Sequence, residues 1–295
     1  MKLTIFTPVY NRKKLLKNLF DSLIKQTNCD FIWMIVDDGS TDNVLELVKS
    51  FQEQAPFLIK YYYQENQGKH VAHNLAVEKC NTELFVCVDS DDKLCSIAVE
   101  QILNMDRKYE GTHILGYYFR KVDSNGNISG GRFEYSGEYI GLTDLYHKYG
   151  FKGEMAIVFK TDLIRQYNFP IFKNEHFVTE LVLYNQLNQI APMVWVDVAI
   201  YEYEYQDNGY SNNSNKLIAQ NPYGAASGYL SEAYYSLKFF DKVKNYAQFV
   251  SMKKIFLLKK ADTVNLKIRF CVRITAMLLL PHYNKLFKII RNTYQ

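Results

Sequence analysis

The feature that most constrains this chain is an alternation, within its first 120 residues, of short apolar runs with helix-period segments. Each apolar run stops at a polar cluster. Residues 3–9 read as a buried strand, and residues 12–26 follow with Leu15, Leu16, Leu19, Phe20 and Leu23 on one helical stripe. Residues 31–36 form a second expected strand, ended by Asp37-Asp38-Gly39-Ser40; Thr41 or Asp42 is placed to cap the next helix, which carries Val44, Leu45, Leu47, Val48 and Phe51. Residues 59–63 and 84–88 are further strands, with a helix over 68–78 between them. Strands alternating with helices predict an α/β fold: a mostly parallel, Rossmann-like sheet flanked by helices. In such sheets ligands bind beyond the carboxyl ends of the strands. Three polar clusters fall there: Pro8-Val9-Tyr10-Asn11, Asp37-Asp38-Gly39-Ser40 and Asp89-Ser90-Asp91-Asp92.

Beyond residue 113 the pattern is mixed. Residues 114–119, 156–159 and 194–198 read as strands, 123–131 as a hairpin or loop, and 179–190 as a helix. After Asp207-Asn208-Gly209-Tyr210-Ser211-Asn212-Asn213, residues 216–295 read as entirely helical, with Pro281 as the main break. The expected organisation is an α/β half over 1–120, a mixed half over 121–215, and a helical basic extension over 216–295. An apolar content of 48% is ample for a packed core.

The five cysteines include no C-x-x-C pair, so neither a zinc site nor a disulfide framework is expected, and a reducing cytosol fits. No charged segment followed by an apolar stretch opens the sequence, and no apolar run reaches the roughly 18 residues of a membrane span. A cytoplasmic protein, peripheral at the inner face of the cell membrane, is the expectation. Residues 253–295 hold ten Lys/Arg and one acid, Asp262; against a total of +4 that segment carries +9 and the remainder −5. Leu286, Ile289 and Ile290 share one face of the terminal helix with Lys285, Lys288 and Arg291 on another, and Lys253, Lys254, Lys259 and Lys260 flank an apolar run. Basic amphipathic helices read as membrane-surface elements; a solvated face or a homo-oligomer contact is the alternative. Nucleic acid is not an expected partner, because stacking aromatics are sparse among these cations.

The acidic cluster carries the sharpest chemistry. Three carboxylates within four residues repel one another unless a cation lies among them. Hard divalent ions such as Mg²⁺ and Mn²⁺ favour carboxylate and phosphate oxygens. A strand-end Asp89-Ser90-Asp91-Asp92 is therefore a candidate metal site bridging to a diphosphate; the alternative is a polar turn with a helix cap. Asp37 and Asp38 offer acceptors to a base ring N–H, and Gly68-Lys69 at a helix start offers close backbone approach and a cation for phosphate. The glycine spacing there is neither that of a phosphate loop nor that of a dinucleotide fold.

Taken in order, Thr7-Pro8-Val9-Tyr10-Asn11-Arg12, Gln26-Thr27, Val36-Asp37-Asp38-Gly39-Ser40-Thr41-Asp42, Asn66-Gln67-Gly68-Lys69-His70-Val71-Ala72-His73-Asn74 and Val88-Asp89-Ser90-Asp91-Asp92 resemble the inverting family-2 glycosyltransferases of the GT-A fold. The likeness is close over residues 1–120 and weaker to about 215, and points to the bacterial branch that builds capsule, exopolysaccharide or cell-wall glycans; it implies a GT-A domain over 1–215, with a nucleotide-binding half over 1–120 and an acceptor and catalytic half over 121–215. It implies a nucleotide pocket lined by Pro8, Val9, Tyr10 and Asn11, base contacts from Asp38 and Asp37, and Gly68 and Lys69 near ribose or diphosphate. Asp89 and Asp91 would match the family's D-x-D with Ser90 beside them, and Asp92 is a further candidate ligand for Mn²⁺ or Mg²⁺. The donor implied is a nucleotide-diphosphate sugar, with UDP favoured, and the acceptor a glycan or lipid-linked glycan.

An inverting transfer also needs a general base. The family supplies it from a Glu-Asp pair opening a helix; here Thr179-Glu180 stands in its place, so Glu180 is the expected base and Glu175 the runner-up. Either acid could instead be a helix-opening residue favoured by the macrodipole. Other readings are a catalytically silent sugar-nucleotide-binding or scaffold protein of the same fold, and a sugar-nucleotide pyrophosphorylase, although the latter opens with a Gly-rich loop that residues 7–12 lack.

Overall fold

A computed structural model describes residues 1–204 except 132, 134 and 136, then 214–259 and 266–294. The segment 207–213 and Asp262 therefore lie outside the described residues. Two compact units emerge: Met1–Asn168 with Leu187–Glu204, and Phe169–Gln186 with Tyr205–Gln295. Residues 169–186 group with the helical C-terminal part.

The first unit begins with three βα steps and a fourth strand: β1 (Leu3–Val9), α1 (Lys13–Ile24), β2 (Phe31–Asp37), α2 (Val44–Gln54), β3 (Leu58–Tyr63), α3 (Lys69–Lys79) and β4 (Leu84–Cys87). The strands lie side by side in the order β3-β2-β1-β4, all parallel. Every residue of β2 is buried, as expected of a strand covered on both faces. Helices α1 and α2 close one face through a stack of rings: Phe20 and Phe51 lie 4.0 Å apart at 9°, against Trp33 of β2. The Trp33 indole N–H donates to Thr7 Oγ1 at 3.0 Å, so this large ring is buried without an unmet donor.

The chain then adds β5 (Lys93–Leu94), α4 (Ala98–Lys108), β6 (Gly116–Asp123), β7 (Tyr139–Ile140), α5 (Asp144–His147), β8 (Met155–Lys160), α6 (Thr161–Ile164) and, after α7 (Leu181–Leu187), β9 (Met193–Tyr203). The sheet continues β4-β8-β6-β9-β5. Strand β8 runs antiparallel to both β4 and β6, and β5 and β7 are antiparallel to β9. The sheet is thus mixed, with its parallel character concentrated in the first four strands. Gly116 permits the β6–β8 approach: a Cβ there would stand 1.9 Å from the Val158 carbonyl oxygen.

One local expectation gives way. Helix α2 is preceded by Asn43 in the left-handed region, with no side-chain cap. Asp42 instead accepts the Lys13 N–H at 2.9 Å, serving the start of α1. Pro281 marks a helix boundary as expected: α11 ends at Ala276, a 3-10 turn spans Met277–Leu279, and Pro281 is the second residue of α12, where a missing N–H costs nothing.

The second unit contains the 169–186 segment and α8 (Ser214–Gln220), α9 (Pro222–Tyr235), α10 (Phe239–Ile255), α11 (Phe270–Ala276), a 3-10 turn (Met277–Leu279) and α12 (Leu280–Tyr294). Its core joins Ala226 and Leu230 of α9, Met252 and Ile255 of α10, and Phe287 and Ile290 of α12. Among the described residues no helix is long and apolar enough to cross a membrane.

Candidate functional site

The parallel register sets the site. Val9 pairs with Asp37 and Asp37 with Tyr63, so β1, β2 and β3 end level. The chain leaving each strand therefore starts from one edge, and the polar clusters meet there.

Asn11 opens the turn after β1 with φ 51°, a left-handed conformation that Asn tolerates. Its N–H donates to Ser40 Oγ at 2.9 Å, and its Oδ1 accepts the Thr41 N–H at 2.8 Å. The β1 and β2 loops are stitched together by these bonds, while the Tyr10 side chain stays exposed.

Asp37 and Asp38 are both buried. Asp37 accepts the Ser40 N–H at 2.8 Å and the Tyr61 hydroxyl at 2.7 Å. Burial and that carboxylate together push the Tyr61 phenol well above its ordinary pKa. Asp38 accepts Gln64 Nε2 at 2.7 Å, the Gln67 N–H at 2.9 Å and the Gly68 N–H at 2.8 Å. It thereby fixes the 64–68 loop and the start of α3. Gly68 (φ 95°) and Gly39 (φ 83°) hold positive backbone angles, and a Cβ on Gly39 would come within 2.7 Å of the Asn66 nitrogen. A carboxylate offers about four lone-pair sites, so Asp37 keeps acceptor capacity beyond its bonds to Ser40 and Tyr61.

The acidic cluster is laced with cations. Lys69 Nζ lies 2.8 Å from Asp89 Oδ1 and 3.0 Å from its Oδ2, and Arg12 Nη1 lies 2.6 Å from Asp91 Oδ2. Burial alone would raise the Asp89 carboxyl, but the Lys69 ammonium outweighs it, helped by Lys121 and Arg12, and holds it below the ordinary carboxylate range. Ser90 is buried beneath the turn.

Asp92 points elsewhere. Its Oδ2 accepts the Tyr201 hydroxyl at 2.7 Å and its Oδ1 accepts the Glu204 N–H at 3.0 Å, while Tyr201 in turn accepts the Asp89 N–H at 3.1 Å. Burial raises the Asp92 carboxyl to about 6; the Asp89 charge adds to the rise and the bonds from Tyr201 and Glu204 oppose it. Through these bonds Asp92, the further candidate metal ligand, also ties the turn to the end of β9. Tyr201, unmarked in the sequence reading, is the pivot of that tie, with Lys121 Nζ 4.1 Å above its ring.

Among the described residues no three His, Cys, Asp or Glu side chains converge on a metal position. Mg²⁺-type sites use one or two carboxylates completed by phosphate oxygens and water, and Asp89 and Asp91 are hard oxygen donors of that kind. The residues fit a metal that arrives with a diphosphate, and they do not make a closed protein cage.

In the second unit the two candidate bases differ in kind. Glu175 is buried, and its two oxygens accept the Tyr223 and Gly224 N–H groups at 2.7 Å each. These are among the first N–H groups of α9, which lack helical partners, so Glu175 is an anionic cap from a distant segment. Burial raises its carboxyl while those two bonds oppose the rise. Gly224 is required beside it, since a Cβ would meet the Phe177 carbonyl oxygen at 2.0 Å. The runner-up base is thereby given a structural task. Glu180 is exposed, one residue before α7, and its carbonyl accepts the Leu183 and Tyr184 N–H groups at 3.0 and 2.9 Å.

A model of glycosyl transferase family 2 matches residues 4–173, more than half of the chain, and the chain belongs to that family. It is 34% identical over 125 residues to the glycosyltransferase GlyA of Streptococcus pneumoniae, covering 42% of this chain and 18% of that protein. It is 28% identical over 184 residues to the GalNAc(5)-diNAcBac-PP-undecaprenol beta-1,3-glucosyltransferase of Campylobacter jejuni, covering 59% and 57%. Both matches thus span less than two thirds of the relative. The S. aureus TarS 1–349 structure in complex with UDP-GlcNAc superposes with a TM-score of 0.60 at 17% identity, covering 100% of this chain and 91% of that one. The mannosyltransferase PcManGT of Pyrobaculum calidifontis, in complex with GDP-Man and Mn²⁺, gives 0.54 at 16%, covering 99% and 84%. At these identities the likeness speaks to the fold, which is the expected GT-A fold with a helical C-terminal part.

Proposed function

We propose that this chain transfers a hexosyl or N-acetylhexosaminyl group, with inversion, from a nucleotide-diphosphate donor to a hydroxyl of a glycan or lipid-linked glycan, in the synthesis of a bacterial surface polysaccharide. The observation that carries the reading is the charge array at the strand edge: Lys69 against Asp89 at 2.8 Å and Arg12 against Asp91 at 2.6 Å. An array of alternating sign suits a ligand that couples a dianionic diphosphate to a divalent cation. UDP is the favoured nucleotide; UDP-GlcNAc in one structural neighbour and GDP-Man in another support a nucleotide-sugar donor.

In this account Tyr10 and the Pro8–Val9 backbone flank the base, and Asp38, with Asp37 behind it, accepts its ring N–H. Lys69 exchanges Asp89 for the diphosphate. Asp91 and Asp89 would hold Mn²⁺ or Mg²⁺, whose charge stabilises the departing diphosphate. Glu180 takes the proton of the acceptor hydroxyl as its oxygen bonds to the anomeric carbon. The bond from that carbon to the diphosphate oxygen breaks on the opposite face, and the nucleoside diphosphate leaves.

The test is a panel of nucleotide sugars with Mn²⁺, scored for transfer to glycan acceptors and for donor hydrolysis. Turnover of one donor is expected; absence of both activities across the panel contradicts the proposal.

A further inference from the structure

The helical unit leaves an apolar ridge on its surface, where soluble proteins usually scatter such residues singly. On α11, Val272 and Ala276 pack with Val243 and Ala247 of α10. Phe270 and Ile274 on the other side are 74% and 49% exposed, and Met277 and Leu278 of the following turn are 63% and 80% exposed. Their spacing along a continuous helical path places all four on one stripe. The corner between α9 and α10 adds Leu237, Phe239 and Phe240, at 65%, 51% and 67% exposed. That corner neighbours α11, because Val243 packs with Val272 and the Arg269 charge acts on Lys242.

Cations stand beside these residues in the chain: Lys238 and Lys242 at the corner, where Lys242 Nζ donates to the Tyr234 carbonyl at 2.6 Å, and Lys267, Arg269 and Arg273 before and on α11, against the acid Asp241 in the corner. The stripe expected from the sequence lies elsewhere and is partly consumed by the core. Ile290 and Phe287 of α12 are buried, as are Ile255 and Leu258 at the end of α10.

We propose that the face formed by Phe270, Ile274, Met277 and Leu278, with the α9–α10 corner, seats in the headgroup region of an anionic lipid surface. Its apolar side chains enter the acyl boundary and its cations pair with lipid phosphates. Charge selects this occupant over a second copy of the chain, since a two-fold pairing would set the cationic rim against itself.

The test is co-sedimentation of the full chain with phosphatidylglycerol/phosphatidylcholine vesicles and with phosphatidylcholine alone. Binding to the anionic vesicles is expected, falling about fivefold per cation removed in Arg269→Ser with Arg273→Ser. A further loss of at least tenfold is expected for Phe270→Ser with Leu278→Ser; all four side chains are exposed, so melting temperatures should be unchanged. No binding to anionic vesicles, equal binding to both compositions, or binding indifferent to both double variants overturns the proposal. A dimer in light scattering that Phe270→Ser with Leu278→Ser dissolves assigns the face to a second copy and also overturns it. The assay involves neither donor nor transfer, so it stands or falls apart from the proposed activity.

Discussion

Arg12, leaving β1, and Asp91, leaving β4, meet at 2.6 Å, so a guanidinium occupies the position beside the carboxylate most suited to a metal. The pair sets a threshold: a divalent ion at Asp91 must compete with a tethered cation, and a diphosphate lowers that threshold by drawing Arg12 and Lys69 to itself. Arg12→Gln should therefore raise Mn²⁺ affinity severalfold in the absence of nucleotide, measured by calorimetry. Unchanged or weaker Mn²⁺ binding would count against a metal at Asp91.

Asp38 is the keystone of the 64–68 loop, with three internal donors at 2.7, 2.8 and 2.9 Å. Asn keeps one acceptor oxygen and turns the other position into a donor facing donors. Asp38→Asn should destabilise the chain by about 1–3 kcal/mol, read in thermal melting. UDP affinity should fall at least tenfold, and a variant binding UDP as the parent does would refute the role.

Much of this edge was legible before any coordinates. Strands β1 to β4 fall within about a residue of where their runs place them; β1, β2 and β4, buried along nearly all their length, write continuous apolar text, while the edge strand β3 is marked by its β-favouring Ile59 and tyrosines. The clusters at their ends were legible for the same reason. What escaped are contacts between residues far apart in sequence. Nothing near position 201 signals that Tyr201 bonds Asp92 and Asp89, more than a hundred residues earlier. Asp42 read as the cap of the helix after it and instead serves the start of α1. Strand β9 runs to Tyr203, beyond the expected 194–198, because its later residues pair with β5 and β6.

Glu175 and Glu180 should separate in experiment. Glu175→Gln leaves one donor group against the amide N–H groups of α9 and should cost about 1–2 kcal/mol, the range of a lost helix cap, with donor binding retained. Glu180→Gln should leave melting and UDP affinity unchanged and lower transfer by about 10²–10⁴. Full activity in Glu180→Gln would remove it as the base.

His73, on α3, is packed edge-on against Phe6 and Phe85. Burial, with a smaller contribution from the Lys69 charge, lowers its pKa from 6.5 to about 3. The folded value lies below the unfolded one, so the neutral ring's contribution is complete above pH 6.5 and is lost progressively as pH falls from 6.5 toward 3. The slope approaches about 1.4 kcal/mol per pH unit. Denaturant unfolding of the parent between pH 7 and 4.5 should show this loss, and His73→Leu should flatten it. Identical pH profiles would show that His73 is not the group responsible.

The central claim is that Asp91, with Asp89, joins a metal to a nucleoside diphosphate at this strand edge. Its most direct measurement is calorimetric binding of UDP with and without Mn²⁺, for the parent chain and Asp91→Ala. Binding that depends on Mn²⁺ and weakens at least tenfold in Asp91→Ala is the predicted result. No binding of UDP, GDP or dTDP in either condition, or binding untouched by Asp91→Ala, would contradict it.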